Sequence, residues 1–393
     1  MDFASLQIGV FVIAGLFFGI IGLISLGITI WQFIVAIRFP LHSRIDCKKG
    51  FPSITILKPI KGADEFSFQC LSSWMKQEYP GKIQILFGVD SKDDPAFNLC
   101  SDLIKAFPQL DAQLIVCEGV YGSNSKVSKL VYLTQFIKNE IVFVSDADVL
   151  APTDLVKGSI GIFDDENVGL VCCCYGLANP ITLAMKLEAV AINSDFWSQV
   201  LQARSMKPLN FALGAVMMIR RKALEKIGGF NSVVNRLADD YWLGRLVSEN
   251  GYKVELSTVV VECYHRSTGW RETLAHQCRW ARTIRVCEPL SYFFSILSNL
   301  TLWATLFLIF YPTVYSVGFF AVAILTRALT AAVYQKKLMR AKTRLWHFVM
   351  PIIKDLVQFV IWILSFTGNT VEWRGKKYKI TSDGIMIPIK SKQ

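Results

Sequence analysis

A stretch without any charged side chain runs from residue 3 to residue 37, near the amino terminus. The hydrocarbon core of a membrane is about 30 Å thick, which about 20 helical residues can cross, so residues 8–35 are long enough. A cleaved signal peptide would carry basic residues first and a shorter apolar core, whereas this chain has Asp2 and no basic residue there. The sequence therefore predicts a permanent transmembrane anchor over residues 1–37.

Two further apolar runs, residues 290–310 and 313–333, lie in the last third of the chain. Each is about the length of one membrane span. Tyr311 and Pro312 separate them, and this dipeptide is suited to a tight turn. We therefore expect a transmembrane hairpin over residues 290–333.

A last apolar segment covers residues 347–366, and it contains Pro351, Lys354 and Asp355. A full span would place the basic tail, residues 367–393, on the outer side, against the rule that basic flanks stay in the cytosol. The sequence favours a re-entrant or interfacial helix, and a spanning helix stays open as the alternative.

Basic residues are concentrated next to the apolar runs, within residues 38–49 and 336–344. Such flanks face the anionic cytoplasmic leaflet, so they predict an integral membrane protein with a cytosolic domain between its anchors, in a bacterial inner membrane. The chain has a formal net charge of +11, but it has no dense Lys/Arg run interleaved with aromatic residues. We therefore expect the lipid bilayer, and no nucleic acid, as a partner.

Residues 51–285 are less apolar and have the size of one domain. Apolar strands are expected at residues 53–57, 83–89 and 141–145, and they alternate with helical segments. This alternation predicts an α/β domain with a mostly parallel sheet flanked by helices. The glycine-rich motifs of dinucleotide-binding and P-loop proteins are absent from the sequence, so neither class of site is expected.

Acidic residues follow two of these strands: Asp90 after the second, and Asp146 with Asp148 after the third. In open α/β sheets ligands bind at the carboxyl ends of strands. Two neighbouring carboxylates repel each other unless a cation joins them, and Mg²⁺ is often shared between carboxylates and phosphates. The pattern predicts a metal site at Asp146 and Asp148, with a solvated turn as the alternative.

A second acidic pair, Asp239 and Asp240, stands before an apolar helical segment. Asp239 is suited to cap that helix, and a carboxylate at Asp240 can take a proton from a reacting hydroxyl. Later in the chain, Arg279 and Trp280 provide a fork for phosphate oxygens beside an aromatic surface. Three other basic residues are expected to be surface lysines rather than phosphate ligands: Lys58, Lys126 and Lys129.

These motifs, in this order, resemble the membrane-bound glycosyltransferases of the ceramide glucosyltransferase type. The family pattern is an Asp, an Asp-x-Asp, a late Asp and then [Gln or Arg]-x-x-Arg-Trp. Here it corresponds to Asp90, Asp146 with Asp148, Asp240, and Arg279 with Trp280. His276 stands where the family has Gln or Arg, and this form is similar to a hopanoid-biosynthesis branch of bacteria.

The resemblance implies a GT-A type nucleotide-sugar-binding domain at residues 51–285. Asp90 would contact the nucleoside, and Asp146 and Asp148 would hold Mg²⁺ or Mn²⁺ on the diphosphate of a UDP-sugar. Asp240 would be the general base of an inverting transfer, and Arg279 and Trp280 would close over the diphosphate. Asp239 and His276 are possible contacts to acceptor or donor.

The implied acceptor is a membrane lipid, either a bacteriohopanetetrol-type hopanoid or ceramide, and the sugar is glucose or N-acetylglucosamine. A processive polysaccharide synthase would use the same motifs, but it would normally need more membrane helices. A membrane scaffold with an α/β domain is the non-enzymatic alternative, and it would bind no nucleotide.

Overall fold

The computed structural model describes residues 3–389, with side chains from residue 9 onward. The chain divides into two compact units. The sheet unit consists of residues 40–179, 206–267 and 370–389, and the helical unit of residues 3–39, 180–205 and 268–369.

The strands all lie in the sheet unit. Their bounds are β1 Ile54–Pro59, β2 Ile83–Val89, β3 Asp111–Val116, β4 Ile141–Ser145, β5 Val149–Leu150, β6 Val168–Leu177, β7 Val216–Arg220, β8 Lys253–Cys263, β9 Thr370–Trp373, β10 Lys376–Ile380 and β11 Met386–Pro388.

The helices are distributed over both units. Their bounds are α1 Phe3–Arg38, α2 Ser67–Met75, α3 Pro95–Ala106, α4 Ser125–Leu133, α5 Leu155–Ile160, α6 Leu183–Val190, α7 Trp197–Met206, α8 Arg221–Lys226, α9 Asp239–Glu249, α10 Trp270–Cys287, α11 Pro289–Phe294, α12 Leu300–Phe310, α13 Val314–Met339 and α14 Trp346–Ser365.

The main sheet has the strand order β3-β2-β1-β4-β7-β6-β8-β5. From β3 to β4 all pairings are parallel, and Leu57 of β1 is in register with Leu86 of β2 and Val144 of β4. β7 and β5 run antiparallel to their neighbours, so the sheet is mixed rather than uniformly parallel. The predicted α/β class with flanking helices is confirmed, and β1, β2 and β4 end at the same edge.

The parallel strands are buried on both faces, as their continuous apolar sequences predict. Every residue of β1 is buried, including Lys58. Local capping fixes the helices that pack on the sheet: the Asp94 side chain accepts a hydrogen bond from Ala96 N at 2.9 Å, and Pro95 opens α3. These features hold the ends of β1, β2 and β4 in a fixed arrangement.

Most of the predicted basic tail forms a second sheet of strand order β11-β10-β9. Two backbone hydrogen bonds join this small sheet to the segment before α9: Met386 N donates to Asn235 O at 2.8 Å, and Leu237 N donates to Gly384 O at 3.3 Å. Ser123 Oγ, just before α4, donates to Met386 O at 3.0 Å. The tail is therefore an integral part of the sheet unit.

The helical unit contains the apolar helices. In the described part of the chain, three are long and apolar enough to cross a membrane: Gly9–Arg38 within α1, Val314–Met339 and Trp346–Ser365. A fourth candidate is the bent pair Pro289–Ser298 and Leu300–Phe310, whose axes differ by 57°. The predicted run over residues 290–310 is therefore broken at Asn299 rather than straight.

Four charged side chains form one largely buried cluster in the helical unit. Arg327 of α13 binds both Asp355 of α14, with 2.8 Å between Nε and Oδ2, and Asp195, with 2.9 Å between Nη2 and Oδ2. Lys354 binds the same two carboxylates, and Asp195 lies in a π-helical turn between α6 and α7. Two acids and two bases thus balance each other in this buried ion cluster.

Candidate active site

Asp90 and Asp146 lie at the carboxyl edge of the main sheet, directly after β2 and β4. Both strands pair with β1 in parallel, so the two aspartates flank the end of the same central strand. Asp148 follows two residues later and immediately precedes β5. The sheet therefore places three predicted site residues at the edge where α/β proteins bind ligands.

Lys126 connects the carboxylates of two distant segments. Its Nζ lies 2.8 Å from Asp146 Oδ1 and 3.1 Å from Asp239 Oδ2, and its side chain is only 11% exposed. Asn124 fixes this end of α4 because its side chain accepts hydrogen bonds from the backbone of Lys126 and Val127. Lys126 thus brings Asp239, at the start of α9, beside Asp146.

Lys129 makes the corresponding connection to Asp90. It follows Lys126 by three residues, so both side chains lie on one face of α4. Its Nζ forms an ion pair with Asp90 Oδ1, and Lys61 Nζ lies 3.7 Å from Asp90 Oδ2. Helix α4 therefore links all the segments that carry the predicted carboxylates of this unit.

The prediction that three lysines lie at the surface is wrong. Lys58 and Lys129 are 0% and 2% exposed, and Lys126 is nearly as buried. Lys58 donates to Ser145 Oγ at 3.1 Å and to the backbone oxygen of Asp146, and burial lowers the pKa of its ammonium to about 8. Each of these lysines binds the strand ends or the carboxylates, which compensates for the loss of hydration.

Asp240 stands in the first turn of α9, against the backbone of Gly214. A Cβ atom at position 214 would lie 2.8 Å from Asp240 Oδ2, so a side chain there would displace the carboxylate. Burial, followed by the negative charge of Asp239, raises the pKa of Asp240 to about 7. A carboxylate with that pKa can accept and release a proton near neutral pH.

Asp239 does not cap α9 as expected. The capping position belongs to Ala238, and Asp239 is the first helical residue, with its side chain directed to Lys126. Two carboxylates in this first turn are stabilised by the positive end of the helix dipole. Asp239 is therefore the electrostatic partner of Lys126 and the neighbour that disfavours ionisation of Asp240.

Asp146 and Asp148 have opposite electrostatic environments. Burial raises the pKa of Asp146 despite the nearby charge of Lys126. Burial acts in the same direction on Asp148, but the hydrogen bond from His265 and its charge lower the pKa of that carboxyl below its usual value. His265 Nε2 lies 3.3 Å from Asp148 Oδ2, and Asn179 bonds to both backbone groups of His265.

The donor set is compatible with a hard divalent cation. Among residues 3–389, no group of three or more His, Cys, Asp or Glu side chains is arranged to hold a metal. Asp146 and Asp148 provide carboxylate oxygens, and the buried Asp239 Oδ2 forms an ion pair with Lys126 Nζ at 3.1 Å without an aligned hydrogen bond. Mg²⁺ commonly takes only one or two carboxylates and completes its shell with water and phosphate, so these residues fit such an ion.

His276, Arg279 and Trp280 lie on α10 in the helical unit. A hydrogen bond of 2.5 Å joins His276 Nδ1 to Oε1 of the buried Glu188 on α6, and Gln277 Nε2 donates to the same oxygen at 3.1 Å. The ring of His276 meets that of Trp280 edge-on, with 5.1 Å between centroids. Within this unit the carboxylate of Glu188 fixes the position of His276 beside Trp280.

Residues 17–386 match the sequence pattern of "Glycosyl transferase family 21". The match covers nearly the whole chain, including both units. The chain belongs to this family. It is therefore a glycosyltransferase, and the resemblance to the ceramide glucosyltransferase type is confirmed.

This glycosyltransferase is similar to two named relatives and to one solved structure of another protein. Ceramide glucosyltransferase 3 of Caenorhabditis elegans is 21% identical over 90% of this chain and 78% of its own. A beta-monoglucosyldiacylglycerol synthase of Trichormus variabilis is 23% identical over 59% of this chain and 51% of its own. A mannosyltransferase of Pyrobaculum calidifontis, solved with GDP-Man and Mn²⁺, aligns with TM-score 0.47 and 18% identity over 86% of this chain and 99% of its own.

In each unit of this family 21 member, the sequence does not identify some partners of the predicted site residues. These are the lysines of α4 in the sheet unit and Glu188 in the helical unit, whose partners are distant in the chain. One available signal was Asn124, a typical N-cap, which places Lys126 and Lys129 on one helical face. The roles of the individual residues in binding and catalysis stay predictions.

Proposed function

We propose that this glycosyltransferase moves a hexose from a UDP-sugar to a hydroxyl group of a membrane lipid. The observation that carries the proposal is the arrangement of Asp146, Asp239 and Asp240 around Lys126, at the carboxyl edge of the parallel strands. Such a cluster offers ligands for a cation and a base for a hydroxyl within one electrostatically coupled group of residues.

Asp240 is the proposed general base. Its pKa of about 7 leaves a substantial fraction ionised near neutral pH, while the carboxyl remains basic enough to remove a proton from an acceptor hydroxyl as the glycosidic bond forms. A single displacement at the anomeric carbon then inverts its configuration and releases the nucleoside diphosphate. Gly214 leaves space for the carboxylate beside its own backbone.

Asp146 and Asp148 are the proposed ligands of Mg²⁺ or Mn²⁺, and Asp90 is the proposed contact to the nucleoside. The metal would neutralise charge on the departing diphosphate. Lys126 holds Asp146 and Asp239 in place before donor and metal arrive. His265 favours the ionised form of Asp148, which is the form that can bind a cation. On α10, Arg279 and Trp280 are proposed to bind the diphosphate, and His276 to contact donor or acceptor.

The proposed acceptor is a lipid because the chain combines apolar helices with relatives named for glucolipid synthesis. One relative is named a ceramide glucosyltransferase and the other a beta-monoglucosyldiacylglycerol synthase. A hopanoid of the bacteriohopanetetrol type is the acceptor that the His276 form favours, and ceramide is the alternative. The catalytic domain is proposed to lie in the cytosol, where nucleotide sugars are available, because basic residues flank the apolar runs.

A processive polysaccharide synthase is the competing enzymatic function. In the described residues, three helices are long and apolar enough to span, or four if the bent pair counts as one. The two functions differ in product, since one adds a single sugar to a lipid and the other extends a polymer.

Mass spectrometry of lipids from a host that expresses the chain tests the proposal directly. The purified membranes receive isotope-labelled UDP-glucose or UDP-N-acetylglucosamine, together with hopanoid, ceramide or diacylglycerol. We expect one labelled hexose on one class of lipid, with β configuration by NMR. Labelled polymer without glycolipid would support the synthase instead.

Matched carboxylate variants show whether the product comes from the proposed site. Asp240→Asn should abolish transfer and leave UDP binding nearly intact, as followed by thermal shift with UDP and Mn²⁺. Asp102→Asn removes an exposed carboxylate on α3 and should leave both unchanged. Equal loss of binding and transfer in Asp240→Asn would remove Asp240 from the role of base.

A further inference from the structure

The turn of the small C-terminal sheet carries an arginine in an unfavourable backbone conformation. Arg374 and Gly375 join β9 to β10, and both have positive φ, 51° and 75°. Two-residue turns of this kind favour Asn, Asp or Gly, because a larger side chain costs about 1 kcal/mol or more in the left-handed region. Non-glycine residues held in such conformations concentrate at ligand clamps and other functional sites.

The side chain of Arg374 extends to the start of α4. Its Nη1 donates a hydrogen bond to Ser125 Oγ at 3.2 Å. Ser125 directly precedes Lys126, and the small sheet is also bonded to residues 235–237, just before Asp239. The turn therefore sits beside the helix that links the site carboxylates.

Two lysines contact the Asp90 carboxylate, and Arg374 lies near one of them, Lys129. Asp90 is paired with Lys129 and lies 3.7 Å from Lys61 Nζ. Arg374 and Lys61 are both close enough to Lys129 to act on it: burial, opposed by Asp90, lowers the pKa of Lys129, and the charges of these two residues lower it further. Asp90 offsets only one of these positive charges, and the remaining positive charge favours a bound anion.

We propose that Arg374 is an anion-binding residue of the active site, supplied by the C-terminal sheet to bind a phosphate group of the donor nucleotide. The proposal rests on the proposed function, because it takes the UDP-sugar as donor. Asp90 is the proposed nucleoside contact, so Arg374, Lys129 and Lys61 face the phosphate that follows the nucleoside. The guanidinium fork of Arg374 suits phosphate oxygens better than a point charge does.

This role explains why the tail is folded and docked. A flexible basic tail would bind phosphate with a large entropic loss, whereas the backbone bonds to Asn235 and Leu237 hold the turn in position beforehand. In this proposal, a residue that follows the last apolar helix, α14, completes a site whose other residues precede the apolar hairpin at residues 290–333.

Binding of uridine, UMP and UDP to the full chain in detergent with Mg²⁺, measured by calorimetry, tests the inference. The critical variant is Arg374→Asn, since Asn suits the turn and keeps the sheet folded. We expect roughly 10-fold or greater loss of affinity for UMP and UDP and no change for uridine. Arg374→Lys should lose less, because the charge remains.

Lys379→Gln is the matched control, compared with Arg374→Gln. Lys379 is exposed on the same small sheet. Each of the two variants therefore removes one positive charge from this sheet by substitution with Gln. Equal weakening in both variants would reduce the effect to general electrostatics and overturn the inference. If the wild type binds UDP and Arg374→Asn binds it equally well, only the role of Arg374 is refuted. If the wild type binds none of the three ligands, the proposed donor itself is wrong.

Discussion

Replacing Asp240 with Asn should increase the stability of the ligand-free protein while it abolishes transfer. The pKa of this carboxyl rises from 3.8 to about 7 on folding, because burial and the charge of Asp239 disfavour its ionised form. Asn has a similar shape and no ionisation, so the variant escapes this penalty. A residue kept for chemistry at a cost in stability is expected to behave in this way.

The magnitude follows from the shift of about three pKa units. Each unit corresponds to 1.36 kcal/mol, so the penalty is at most about 4 kcal/mol. Below pH 3.8 the carboxyl is protonated in both states and contributes no difference. As pH rises toward 7, the unfolded chain releases its proton while the folded chain retains it, so the wild type loses stability relative to the variant. Above about pH 7 the difference is complete.

Thermal unfolding in detergent between pH 4 and pH 8, in chelator and without donor, measures this difference. We expect Asp240→Asn and the wild type to unfold together near pH 4 and to separate progressively up to about pH 7. Asp239→Asn removes one of the two carboxylate partners of Lys126 and should cost about 1–3 kcal/mol, less the gain from easier ionisation of Asp240 without the charge of Asp239. A stability difference for Asp240→Asn that does not depend on pH would refute the reasoning.

Three further outcomes are expected. Lys126→Met should be less stable than the wild type in chelator and should gain more stability than the wild type when Mn²⁺ is added. The reason is that a divalent ion can replace the lost charge between Asp146 and Asp239. Thermal shift measures both effects, and an equal gain in the two proteins would contradict the prediction. Chelator should inhibit transfer by the wild type, and Asp148→Asn should abolish the Mn²⁺-dependent thermal shift; full activity in chelator would exclude the metal role. His276→Gln keeps a donor for buried Glu188 and should retain more activity than His276→Leu, as a transfer assay shows.

The strands and their terminal aspartates were predictable because they depend on local sequence. Apolar runs of five to seven residues before Asp90 and Asp146 indicate buried strands, and parallel pairing places their ends together. The antiparallel strands β5 and β7 were not predicted, because the local sequence of a strand does not determine which other strand it pairs with. The order of the motifs was sufficient to recognise the family, and this recognition did not depend on knowing the strand order of the sheet.

The lysines of α4 show why the rest of the site could not be predicted. A lysine usually lies at the surface, and the partners that keep Lys126 and Lys129 buried are provided by residues 90, 146 and 239. The small C-terminal sheet was missed because its basic residues suggested a membrane flank. The available signal for a strand was the alternation of apolar Tyr378 and Ile380 with lysines after the Arg-Gly turn, and both of these apolar residues are buried.

The buried ion cluster has a consequence for how the protein enters its membrane. Each charged side chain at the centre of a lone membrane helix raises the free energy of insertion by about 2.5–3.5 kcal/mol. Helix α13 carries one such side chain, Arg327, and α14 carries two, Lys354 and Asp355. When the two helices meet, Asp355 offsets one of their two positive charges, and Asp195, between α6 and α7, offsets the other, so most of that cost disappears. Where α14 spans the bilayer, α13 and α14 are therefore expected to insert together with the segment between α6 and α7, and either helix alone should be poorly retained.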